Sequence, residues 1–148
     1  MFLELDKYKN RDSFEFGIED SLDKVCNAPK DHGGVYLIYD ITKAVNLIYI
    51  GSTGWVYQDG SFGLREDGMY DRIVNGKQSF VINAIRANGK RRNIWPLIMK
   101  EDKIECLRVE WFVTYEDQLM DIPSYTEAVL IQRYFEKNKK LPRWNKEF

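Results

Sequence analysis

Apolar and polar positions alternate through two neighbouring stretches in the first third of the chain. From Gly34 to Asp40, Val35, Leu37 and Tyr39 fall on one side, and Tyr36 and Ile38 on the other; this period of two predicts a strand. Asn46 to Gly51 reads as its partner and Asp40 to Val45 as the turn, a connection short enough for an antiparallel hairpin. Glu105 to Thr114 predicts a further strand, with Leu107, Val109, Trp111 and Val113 alternating against Arg108, Glu110 and Phe112. Helical readings fall at Ser21 to Ala28, stopped by Pro29, and at Met69 to Asn75, ended by Gly76. A helix capped by Ser79 would carry Phe80, Ile82, Ala84 and Ile85 and close at Asn88-Gly89. The last helix runs from about Ser124 to Asn138, with Ala128, Ile131, Tyr134 and Phe135 at helical spacing and Pro142 beyond it. Arg91 to Lys103, containing Trp95-Pro96, reads as an irregular basic segment, and the polar, glycine-rich stretch 52–68 as a long loop. These elements predict an α+β fold, a small three-stranded antiparallel sheet flanked by helices.

The remaining properties narrow the class. At 148 residues, 44% hydrophobic and 14% aromatic, the chain suits one folded domain with a real core. No apolar stretch is long enough to cross a bilayer, and MFLELDKYKNRD lacks the basic start and apolar run of a secretory signal, so no membrane partner and a cytoplasmic location are expected. One histidine, His32, and two distant cysteines, Cys26 and Cys106, exclude a zinc finger, a histidine-based metal nuclease and a disulfide framework. Chemistry is left to tyrosine, lysine, arginine and carboxylates. The net charge of −1 announces no nucleic acid partner by itself, but basic residues gather at Arg86, Lys90, Arg91 and Arg92 and again from Arg133 to Lys146.

Within the hairpin, GGVYLIYDITKAVNLIYIGSTG sets a tyrosine close to a glycine twice: Tyr36 after Gly34-Val35, and Tyr49 before Ile50-Gly51. A strand glycine lets another backbone or a ligand approach closely. Tyr36 and Tyr49 can share a face beside such a gap, although strand tyrosines more often simply pack with the hydroxyl bonded.

The order of these features resembles the GIY-YIG nuclease family. Gly34-Val35-Tyr36 and Tyr49-Ile50-Gly51 match the two signature tripeptides, with Val35 in place of isoleucine. Met69-Tyr70-Asp71-Arg72-Ile73 resembles the helix that carries the family arginine, Glu127-Ala128-Val129-Leu130-Ile131 the helix with its glutamate, and Leu141-Pro142-Arg143-Trp144-Asn145 its C-terminal ending. The resemblance runs from residue 33 to 145 and implies one nuclease domain over 1–148, with 1–32 an N-terminal extension and 52–68 an inserted loop. It implies a DNA endonuclease that hydrolyses phosphodiesters with one divalent metal, Mg²⁺ or Mn²⁺. Arg72 would supply a fixed planar cation to the phosphate, Glu127 would anchor the metal, which keeps most of its waters, Tyr36 would orient or deprotonate the attacking water, and Tyr49 would position the phosphate. A phenol is a weak base at neutral pH unless positive charge stands beside it, and lysine or metal would supply that charge.

Several alternatives stay open. The family often has histidine or tyrosine one turn after the arginine, where this chain has Gly76, so Lys77 is the candidate replacement. Arg65 competes with Arg72 for the arginine role. Ser124-Tyr125-Thr126-Glu127 spells a capping box, which would turn the Glu127 carboxylate onto a backbone N–H; with Asp121 as the cap, Glu127 lies further in and is free for metal. Arg65, Arg91, Arg92 and Asn145 are candidate DNA contacts, with Pro142 to Asn145 alternatively shaping the end of the core and Asn145 contacting neighbouring backbone; Trp55, Tyr57 and Phe62 can stack on bases or pin their loop to the core. The expected partner is DNA, with specificity from the loop, a homodimer or an accessory protein, and the settings open to such a domain are repair, restriction and mobile elements. The competing class is a DNA-binding or interaction module on the same fold without catalysis.

Overall fold

A computed structural model describes residues 2–148. After a short 3₁₀ turn, Leu3–Leu5, come strand β1 (Arg11–Gly17), helix α1 (Leu22–Val25) and the hairpin β2 (Gly33–Asp40) and β3 (Asn46–Thr53). A small hairpin follows, β4 (Trp55–Val56) with β5 (Phe62–Gly63), then α2 (Gly68–Asn75), a second hairpin β6 (Lys77–Ile82) and β7 (Ile85–Lys90), and α3 (Arg91–Asp102). The chain ends with β8 (Cys106–Glu116), β9 (Leu119–Met120), α4 (Pro123–Asn138) and an extended tail.

The main sheet is larger than the three strands expected. Five antiparallel strands are ordered β1-β8-β2-β3, with β9 also paired to β8, and two further sheets have two strands each. The expected strands β8, β2 and β3 are contiguous in it, with β3 at one edge. The extra width comes from β1, inside the stretch read as an N-terminal extension, where only Phe14 and Phe16 are buried and the polar neighbours mask the alternation. β9 is too short to leave a pattern.

Both sheet faces are buried. Val35, Leu37 and Ile50 pack with Phe112 and with Leu130 and Ile131 of α4 on one face. Tyr36, Ile38, Leu107, Val109 and Val113 pack on the other against α2, α3 and β6.

Two segments differ from expectation for local reasons. Residues 77–90 form a hairpin rather than a helix. Gln78 and Phe80 are buried at a period of two, and the turn residues Asn83 and Ala84 hold φ of 52° and 62°. The glycine that usually marks such a two-residue turn is missing, which hid it. Conversely, Arg91 to Asp102 is a regular helix whose buried residues Arg91, Ile94, Trp95, Ile98 and Met99 follow helical spacing. Pro96 deletes one N–H, whose partner would be the carbonyl of exposed Arg92, so the loss falls on the solvent side. The stretch 52–68 is not featureless either. Tyr57 N–H donates to the Ser61 carbonyl at 2.8 Å and Gly60 N–H to the Tyr57 carbonyl at 2.9 Å, closing the β4–β5 turn.

Candidate active site

The hairpin register explains how the two phenols meet. Tyr36 lies opposite Gly51 and Ile38 opposite Tyr49, so Tyr36 and Tyr49 are diagonal neighbours on one face. Their rings stack with centroids 6.1 Å apart. Gly51 is necessary for this: a Cβ there would sit 2.6 Å from Tyr36 Cζ and Oη and 2.7 Å from a Tyr49 ring carbon. The glycine gap is thus filled by the protein's own phenol. At Gly34 a Cβ would fall 1.9 Å from the Phe112 carbonyl, so that gap admits the neighbouring strand. Of the two uses expected of these glycines, Gly34 serves close approach of a backbone, and neither leaves open space for a ligand.

Tyr36 has no exposed surface, which removes it from direct contact with an attacking water in this arrangement. Its oxygen accepts a hydrogen bond of 2.7 Å from Arg91 Nη1. Arg91, expected to meet DNA, is itself fully buried as the first residue of α3. Nη1 also donates to the Arg72 carbonyl at 3.0 Å and Nε to Gln78 Oε1 at 3.0 Å, while Trp95 Nε1 donates to the same Gln78 oxygen at 3.1 Å. The guanidinium carbon lies 5.3 Å and 5.2 Å from the Tyr36 and Tyr49 ring centres. Burial acts to discharge Arg91, and the two phenols offset this and hold it charged. The positive charge sought beside Tyr36 therefore comes from an arginine of the chain.

Glu127 is the fifth residue of α4, whose N-cap is Ile122 with Pro123 at the first helical position. Ser124 is thus inside the helix, and the capping box does not form. Asp121 does not cap either: its Oδ2 accepts from Tyr8 Oη at 2.6 Å and pairs with Lys7 Nζ at 2.6 Å. The Glu127 carboxylate instead accepts a hydrogen bond from Ser52 Oγ on β3. Burial raises the pKa of Glu127, while Ser52, Arg72 and Arg91 act in the opposite direction.

Ser52 follows Gly51 at the outer edge of the sheet, so the carboxylate arrives from the α4 side and the phenols from the α3 side. Tyr49, Lys77, Glu127 and Asn145 line one cavity of about 250 Å³. Arg65 and Arg72 line an adjoining one of about 350 Å³ with Ser52, Thr53, Gly54 and Trp55. Burial, with Tyr36 adding to it, pushes the Tyr49 hydroxyl up to about 12 against Arg91 and Arg72, so it is a neutral hydrogen-bond donor at ordinary pH.

The two candidate arginines are distinguishable. Arg65 Nε pairs with Asp71 Oδ2 at 2.7 Å, whereas Arg72 makes no ion pair among the described residues and acts on both Glu127 and Tyr49. A Cβ at Gly76 would stand 2.3 Å from Arg72 Nη1, so a side chain one turn after the arginine would collide with its guanidinium. Lys77, exposed at the start of β6, reaches the Glu127 cavity instead.

Asn145 is tied to the sheet edge as well as lining the cavity. Its side-chain amide donates to the Ile50 carbonyl and accepts from the Ile50 N–H, each at 3.0 Å. Arg92 is exposed on α3 but lines neither cavity. Sequence reasoning missed Ser52, Gln78 and the inward role of Arg91; the 91/94/95/98/99 spacing was the available signal.

The chain matches no family model, no curated protein and no solved structure.

Proposed function

We propose that this protein is a metal-dependent endonuclease that hydrolyses DNA phosphodiesters, with a site of GIY-YIG type. One observation carries the reading: Glu127, a carboxylate whose burial is only partly compensated, shares a cavity with Tyr49 and Lys77 and lies in the field of Arg72. Ser52 leaves Glu127 with acceptor capacity to spare, and a hydrated dication suits a single carboxylate that burial has left short of positive charge. Mg²⁺ or Mn²⁺ held there would supply Lewis-acid stabilisation of the phosphate. Arg72 offers a fork of fixed donors to the phosphate oxygens as their charge grows. Tyr49 donates its hydroxyl proton to a phosphate oxygen, and Lys77 adds a mobile positive charge at the rim. Tyr36 works from beneath: with Arg91 it fixes the Tyr49 ring and sets the local potential.

The test is cleavage of plasmid and branched DNA with Mg²⁺ or Mn²⁺. Glu127→Ala should fold and bind DNA in EDTA but cut about 10³-fold more slowly or not at all. Undiminished cutting by that variant would sink the assignment. A second reading, a DNA-binding module without catalysis, is favoured by one fact: the Tyr36 hydroxyl is sealed and already engaged by Arg91. A wild type inert toward all substrates and both metals would select it.

A further inference from the structure

Next to the Arg72 cavity stands a pair of aromatic side chains that the proposed hydrolysis does not use. Trp55 on β4 is 42% exposed and Tyr57 is 53% exposed, with ring centres 6.2 Å apart in an edge-to-face arrangement. The indole is nonetheless held. A Cβ on Gly63 would lie 2.1 Å from Trp55 Nε1 and 2.4 Å from Cε2, so one face of the ring rests against the β5 backbone. The hairpin is fixed in turn by Phe62, whose ring stacks on Tyr115 of β8 at 4.2 Å and 10°. Phe62 therefore pins the segment, and Trp55 and Tyr57 are displayed by it.

Trp55 lines the same cavity as Arg65 and Arg72, and among the described residues no carboxylate lines it. A flat apolar ring beside two guanidinium groups matches a ligand with a π-face and an anionic linkage. We infer that the β4–β5 hairpin is a stacking platform for an unpaired nucleotide, seating single-stranded DNA so that its neighbouring phosphate meets Arg72. The choice of DNA as the polymer rests on the proposed function; the platform itself rests on the placement of Trp55 over the arginine-lined cavity. A duplex end keeps its bases paired and stacked on one another, so the preferred substrate class is single-stranded or branched DNA.

The other three tryptophans, Trp95, Trp111 and Trp144, are 0%, 6% and 3% exposed, so fluorescence quenching by a bound base reports on Trp55. The experiment titrates the full chain in EDTA with a thymidine oligonucleotide, a blunt duplex and single-stranded RNA, reading tryptophan fluorescence and the anisotropy of a labelled strand. The expected result is quenching by the thymidine strand. Affinity should fall about tenfold in Trp55→Ala, with recovery in Trp55→Phe; a circular dichroism spectrum checks that the variants are folded. Equal affinity of Trp55→Ala and wild type for the thymidine strand would overturn the platform, as would duplex binding of equal strength that Trp55→Ala leaves unchanged. Tighter Trp55-dependent binding of RNA would overturn the DNA assignment. Because metal is absent, Trp55-dependent binding by a protein that never cuts would sustain the platform while the nuclease reading failed. Cleavage with no Trp55 effect would do the reverse.

Discussion

The two faces of the main sheet are both buried but differently composed. Under α4, away from Glu127 at the sheet edge, the polar atoms that enter the interior are matched: Tyr8 Oη donates to Asp121 at 2.6 Å and sits 3.0 Å from Thr126 Oγ1, around an otherwise apolar cluster. Under α3, the interior holds a guanidinium without a carboxylate in salt-bridge range among the described residues, and Arg91 Nη2 and Gln78 Nε2 find no acceptor. A hydrophobic side chain of similar volume would often serve stability as well as a buried charge does. The contrast teaches that the α4 face is built for cohesion. The α3 face retains a cation, and that cation sits directly behind the two phenols of the candidate site.

The contrast can be tested from either side. The largest effect is expected from Arg91→Ala, which leaves Tyr36 Oη without its donor, takes one of two donors each from Gln78 Oε1 and the Arg72 carbonyl, and opens a cavity. A loss of about 4 kcal/mol in urea unfolding is expected, together with loss of cleavage. Leu130→Ala, fully buried on the α4 face, should cost about 3 kcal/mol while cleavage below its melting temperature stays near wild type. If Leu130→Ala depressed cleavage as Arg91→Ala does, the division of labour between the faces would be refuted. The smallest effect is expected from Glu127→Gln. The folded state raises the pKa of Glu127, so it binds this proton more tightly than the unfolded chain does. Stability from that proton is present below the unfolded carboxylate value, about 4, and is lost as pH rises through the folded one. The glutamine variant should therefore melt higher than wild type at pH 8 in EDTA, and the gap should close toward pH 4. An unchanged gap across that range would show that burial does not strain the carboxylate.

Much of the scaffold was legible because period-two alternation survives where both faces are apolar. Val35 to Tyr39 and Leu107 to Val113 sorted onto the two faces as their spacing indicated. Legibility failed where tertiary packing overrode local signals. β1 shows only Phe14 and Phe16 to the core, Asn83-Ala84 turns without glycine, and Pro96 sits inside a helix that its buried face stabilises. For the site, the structure brings Tyr49, Lys77 and Glu127 to one cavity and Arg72 to another, while Tyr36, named with them from the motif, is sealed beneath. Motif order could not show that Arg91 points inward and Arg92 outward, since neighbouring helical positions lie about 100° apart and only the packed fold decides which one is covered. The backbone contact expected of Asn145 is made, and only its partner, Ile50 of β3, was beyond the sequence.

The tail's hold on β3 has a consequence for the life of the chain. Trp144 N–H donates to the Ile48 carbonyl at 2.8 Å, and Asn145 takes both polar groups of Ile50, so the outer rim of the sheet is closed by residues synthesised long after it. Until they leave the ribosome, that rim is an open template onto which another nascent strand can zip. A chain interrupted just short of Trp144 would be both unguarded against self-association and missing one wall of its cavity.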